Sequence, residues 1–185
     1  MLSWFRSRAQ DRRTAVDLYG AIVTQARRPE FFGRDGVLDT PEGRTAMIIL
    51  LMFPVLERLP AERRGRRIAR LLSEIFVTDI DDCLREMGVG DMSVSKKVKR
   101  AAQALGERCG GYRSAANAPE PVAALAAELA ETVPGLAENP QAARALARYT
   151  LETRASILAA PAESLRAGRV AFPDPATGLV LATQE

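Results

Sequence analysis

Four carboxylates fall within eight residues of one another, at Asp79, Asp81, Asp82 and Glu86. Converging acids of this kind can hold a hard cation or divide acid and base roles between them. On a helix, however, Asp81 points nearly opposite to Asp79, and only Glu86 shares the Asp79 side. The oxygens of this segment therefore do not converge, and a structural or partner-binding acidic cluster is the expectation. The rest of the chain offers little other chemistry. Histidine is absent, which removes the usual general base and the commonest zinc and haem ligand. No GxSxG elbow, P-loop or GxGxxG turn is present. Cys83 and Cys109 lack CxxC spacing and read as reduced, packing cysteines. The expectation is a binding protein with no catalytic residue, metal or cofactor.

The elements that position these acids are helices. Leu72, Phe76, Ile80, Cys83, Leu84 and Met87 recur at helical spacing, with Glu74, Thr78, Asp81 and Arg85 opposite. Gly88 ends that helix in a Schellman turn, with Val89 touching Leu84, and Gly90 completes a tight corner. Asp91 or Ser93 is expected to cap the next helix. That helix carries Val94, Val98, Ala101, Ala102 and Leu105, and is expected to end at Gly106 or to fray as far as Gly110-Gly111.

Earlier in the chain, Ala15, Leu18, Tyr19, Ile22, Val23 and Ala26 form an apolar stripe that Pro29 closes, and an aromatic, glycine-containing loop follows at 31–38. Thr40 caps the next helix with Pro41 at its first position, or Asp39 caps it with Glu42. Met47 to Phe53 have no polar side, so this rod must be enclosed by other helices, and Pro54 is expected to kink it or to end its regular part near Leu50. Asp79 lies at the edge of an apolar face and needs a partner unless it reaches water. Arg44, projecting to the core side after Gly43, is the candidate.

The formal net charge is only +3, so any basic surface is local. Arg63, Arg64, Arg66 and Arg67 make one patch, starting a helix at Ala61 with Gly65 as a break. Lys96, Lys97, Lys99 and Arg100 make another. Each is either a solvated face or a phosphate contact, and the two form one binding surface only if the fold unites them. DNA is not an expected partner. Residues 1–13 are a basic segment, either frayed or resting on an anionic membrane through Trp4 and Phe5, with no secretory signal. The longest apolar run, Ala46 to Leu56, is too short to span a bilayer, so a soluble protein is expected. Residues 14–116 form the helical body and 117–168 an alanine-rich hairpin extension. An extended tail, 169–185, has Phe172 as an anchor and a loose end.

The ordered set of Leu18-Tyr19, Ile22-Val23, Pro29, Phe31-Phe32, Gly36-Val37, Asp39-Thr40, Gly43-Arg44, Phe76, Asp79, Asp81 and the unbroken Leu84-Arg85-Glu86-Met87-Gly88-Val89-Gly90-Asp91 resembles the ubiquinol-cytochrome c chaperone family. The similarity runs from about Leu18 to Tyr112 and leaves out the region beyond residue 118. It implies an all-α bundle around a buried central helix. It also implies a chaperone, not an enzyme, that binds newly made cytochrome b and supports assembly of respiratory complex III. Such a protein would be cytoplasmic and peripheral on the inner membrane. Thr45-Ala46 and Leu50-Leu51 depart from the family pattern of Phe-Glu or Phe-Asp and Leu-His, so a charge network around Arg44 is not carried over. The alternative is a helical RNA- or ribosome-associated module using the two basic patches.

Overall fold

The structure is a computed structural model that describes residues 2–33, 36–59 and 62–176, apart from the side chains at 2–6 and 92. The expectations for Trp4 and Phe5, for Arg34-Asp35, for a helix start at Ala61 and for a loose end at 177–185 lie outside the described residues. Among the described residues seven α-helices follow in order: α1 (Leu2–Ala26), α2 (Pro41–Arg58), α3 (Arg63–Glu86), α4 (Asp91–Ala116), α5 (Pro121–Thr132), α6 (Pro140–Ala159) and α7 (Ala162–Arg166). Among the described residues there is no strand, only an isolated bridge between Phe32 and Val37. The segment 7–13 is ordered helix, not a frayed end.

The apolar rod is α2, and it is the hub. Every residue from Ala46 to Val55 is buried. The helix touches α1, α4 and α6. Because enclosure rather than local propensity holds it, the helix continues through Pro54 to Arg58 instead of ending near Leu50. Pro54 withholds a single N–H, a loss that burial on all sides outweighs. At the other end, Thr40 accepts from the Gly43 amide at 3.1 Å, so Thr40 and not Asp39 is the cap. Gly43 has a packing reason to be glycine: a Cβ there would stand 2.0 Å from the Leu38 carbonyl oxygen.

Side-chain pairs set the direction of α1 against α3. Asp11 meets Arg64 and Arg67, and Tyr19 meets Asp79, so the two helices run the same way side by side. The α3–α4 corner forms by the expected Schellman ending. Gly88 has φ +73, its amide donates to the Arg85 carbonyl at 2.9 Å, and the Val89 amide donates to the Leu84 carbonyl at 3.1 Å. The cap of α4 differs from expectation: the N-cap is Gly90, which has no side chain to offer, and Asp91 turns its carboxylate to Arg85. Nor does α4 end at its glycines. It runs to Ala116, since Leu105, Cys109, Tyr112, Ala115 and Ala116 bury one face against the core. At Gly111 a Cβ would lie 2.2 Å from a Glu128 carboxylate oxygen, so this glycine lets α5 approach closely.

The alanine-rich segments form the expected hairpin, turning at Gly135 with φ +93 and restarting where Asn139 accepts from the Ala142 amide at 3.0 Å. Its buried residues, Leu125, Leu129, Leu146 and Tyr149, belong to the same apolar cluster as Leu18, Phe53 and Phe76. Two aromatic edge contacts stitch the layers, Phe31 to Tyr149 at 5.2 Å and Phe53 to Tyr112 at 6.0 Å between centroids. The tail beyond α7 then crosses α1, with Val170 and Phe172 half-buried against the core and Pro175 buried.

Candidate functional site

The Leu84 to Asp91 motif is a locked corner. Arg85 reaches back one turn to Asp81 at 2.7 Å and forward across the glycines to Asp91, also at 2.7 Å. Both acids hold its guanidinium in the charged form. Asp81 therefore faces away from Asp79, as the helical projection requires, and its task here is to fix the angle between α3 and α4. Glu86 is exposed, and Met87 beside it is, at 56%, the most exposed large apolar residue among those described. Cys83, expected to pack, is exposed, and it is a free thiol.

Asp79 does not pair with Arg44. It accepts the Tyr19 hydroxyl from α1 at 2.7 Å, and Tyr19 is 7% exposed. Burial, then this hydrogen bond, pushes the Tyr19 phenol well above its ordinary value. A neutral hydroxyl thus satisfies the carboxylate at the edge of the apolar face, which a distant cation does not need to do. Arg44 lies outside the core instead, bidentate on Asp39 at 2.6 and 3.2 Å and over the Phe32 ring at 5.9 Å. That contact holds the Asp39 carboxyl below its usual range. It fastens the 31–40 loop to the start of α2, so Asp39, Thr40, Gly43 and Arg44 form one structural unit.

The first basic patch is partly spoken for. Asp11, fully buried, receives Arg64 Nε at 2.8 Å and lies 2.6 Å from Arg67 Nε. Arg63 and Arg66 point outward. Gly65 between them is no break but sits inside α3, where a Cβ would be 1.6 Å from the Leu59 carbonyl oxygen. Lys96, Lys97, Lys99 and Arg100 are exposed on the first turns of α4, beside the corner. The two patches thus belong to opposite ends of α3, the first on its opening turns and the second beyond its closing corner.

Several joints were not anticipated from sequence. Asp11 is one, although it lies on the stripe of Ala15, Leu18 and Ile22 continued back by one turn. Glu57 is another: it binds Arg154 of α6 at 2.6 and 3.0 Å and lies 3.6 Å from Arg113 of α4, joining three helices. The third is the tail clasp. Gln25 donates to the Tyr149 hydroxyl at 2.8 Å and to the Pro173 carbonyl at 3.0 Å, while the Tyr149 hydroxyl donates to that same carbonyl at 3.0 Å. Arg28 adds an ion pair to Asp174 at 3.0 Å.

No set of three or more metal-ligating side chains is gathered among the described residues, and no helix there is long and apolar enough to cross a membrane. The buried thiol of Cys109 has its pKa pushed up to about 12 by desolvation. A raised folded pKa gives stability that is present below the unfolded value of about 8.5 and lost as pH climbs toward the folded one. Stability should therefore fall by about 1 kcal/mol between pH 9 and 10 through this residue alone. Denaturant melts of the wild type and of Cys109→Ala across that interval should differ in slope by this amount; parallel curves would remove the account.

Comparison with known proteins places this architecture. The family model described as ubiquinol-cytochrome C chaperone matches residues 34–172, which includes the hairpin that the motif resemblance had left outside. No curated protein matches. Among solved structures, one described as the Cbp3 homolog from Brucella abortus superimposes with a TM-score of 0.82 and 32% identity. The alignment covers 95% of this chain and 97% of that one. The match spans the buried rod, the glycine corner and the hairpin together, and the chain belongs to the ubiquinol-cytochrome c chaperone family.

Proposed function

We propose that this chain binds newly made cytochrome b and supports its assembly into ubiquinol-cytochrome c reductase, acting by binding alone and peripherally at the inner membrane. The observation that carries this reading is the family match over residues 34–172, joined to a solved Cbp3 homolog that shares the fold across nearly the whole chain. The physical design is compatible with it. A body held rigid by a buried rod, a locked corner and a clasped tail presents a fixed surface, and such pre-organisation lowers the entropic cost of holding a client. Met87, Val16, Leu38 and Leu158 give that surface separated apolar contacts. The test is removal of the gene. Reduced-minus-oxidised spectra should lose most of the cytochrome b signal, and complex III should fall while other respiratory complexes persist. Unchanged cytochrome b would overturn the reading.

A further inference from the structure

Charge is placed unevenly on this molecule. Residues 7–13 and 62–70 together hold eight arginines and two acids, whereas the whole chain has a net charge of +3, so everything outside these stretches is net negative. The fold brings the two stretches together, because Asp11 sits between Arg64 and Arg67. Of the two acids, Asp11 is wholly buried and Glu62 is paired with Arg166. Arg12, Arg13, Arg63 and Arg66 around them are exposed. The lysine patch is differently placed. It lies beyond the far end of the 24-residue α3, in a stretch, 79–100, whose five acids balance its five cations.

We propose that the arginine end of α1 and α3 is the surface on which the chain rests on an anionic lipid bilayer. This rests on the membrane-side reading above and assigns it a face. Guanidinium groups match phosphate in their donor geometry, and a positive end on an otherwise negative body both attracts and orients the molecule at a negative surface. Val16, 50% exposed one turn beyond Arg12 and Arg13, supplies an apolar contact beside them. Residues 7–13 and 62–70 carry no aromatic side chain on which RNA bases could stack, and Trp4 and Phe5 just before them are residue types that also suit a membrane interface.

The experiment is flotation of the full chain with vesicles of phosphatidylcholine alone or containing phosphatidylglycerol, at low and moderate salt. Binding should need phosphatidylglycerol and weaken with salt. Each basic side chain near such a surface multiplies partitioning about five-fold, so combining Arg12→Glu, Arg13→Glu, Arg63→Glu and Arg66→Glu should lower it more than ~10-fold. Combining Lys96→Glu, Lys97→Glu, Lys99→Glu and Arg100→Glu should change it by no more than ~2-fold, because that end is already balanced. The four arginines chosen leave the Asp11 pair intact, and an Arg63→Gln, Arg66→Gln variant with an unshifted melt should show an intermediate loss. Equal binding to neutral vesicles, a larger loss in the lysine variant, or binding to a uridine homopolymer in place of vesicles would overturn the assignment. Wild-type protein that ignores phosphatidylglycerol yet co-purifies with cytochrome b would sink this surface and spare the chaperone reading. Normal cytochrome b in the deletion strain would do the reverse.

Discussion

Gly65→Ala should lower stability by about 3 kcal/mol, a fall in melting temperature of roughly 10 °C for a chain of this size. Helix propensity alone predicts the opposite sign, since alanine within a helix gains about 1 kcal/mol over glycine. What reverses it is the end of α2. α2 ends at Arg58, and the Leu59 carbonyl just beyond it lies directly on Gly65 of α3, so a Cβ would stand 1.6 Å from that oxygen and 2.8 Å from its carbon. Both are backbone atoms, which cannot swing aside as the tip of a side chain does. The end of α2 and the start of α3 must separate, displacing Leu59, which is buried, and the Glu62–Arg166 pair that ties α3 to α7. Gly106→Ala supplies the contrast. That glycine is exposed within α4 with nothing within 4 Å of the added carbon, so the propensity term acts alone and stability should rise by about 0.5–1 kcal/mol. Thermal melts followed at the helical band measure both. If the two substitutions shift the melt in the same direction, the close approach at Gly65 does not set how the end of α2 meets α3.

That pair of glycines also shows where local reasoning works in this chain and where it stops. The buried rod was legible because Met47 to Phe53 exclude water on every side, and no fold can leave such a run exposed. The Gly88 corner was legible because a Schellman ending is decided by a few neighbouring residues. Gly65, Gly106 and Gly111 are identical in the sequence, yet one lies against a distant carbonyl, one faces solvent and one admits a neighbouring helix. Only the fold separates them. The Asp79 site behaves likewise. Its need for a partner followed from the helical projection, but the donor is Tyr19, counted in sequence as part of an apolar stripe, because a phenol can bury its ring and still offer its hydroxyl. Arg44 was placed on the core side by its projection; it sits in the first turn of α2, where the chain has not yet entered the core, and Asp39 is nearer.

Asp11→Ala should cost about 2–3 kcal/mol, or roughly 5–10 °C in melting temperature. Asp11 is one of four buried polar or charged residues among those described, and two guanidinium groups from α3 close on it. Removing a single member of a buried ion cluster ordinarily costs about 3–5 kcal/mol, because the opposite charge is left desolvated. Here Arg64 and Arg67 remain about a third exposed, at 39% and 36%, and can turn toward water, which brings the figure down. Two further consequences separate this from a simple cavity. The loss should change little between low and high salt, since the carboxylate is shielded from counterions, whereas a surface pair would be screened. It should also be non-additive with Arg67→Ala: once the arginine is gone, deleting the acid should cost distinctly less, leaving a coupling on the order of 1 kcal/mol in a double-mutant cycle. Asp11→Asn, which keeps volume and one acceptor, should fall between alanine and wild type. The position of the cluster gives the effect its meaning, because Asp11 is the charged link joining the first half of α1 to the start of α3. A strictly additive cycle, or a melt displaced by less than ~2 °C in Asp11→Ala, would show that apolar burial at Ala15 and Leu18 holds α1 unaided.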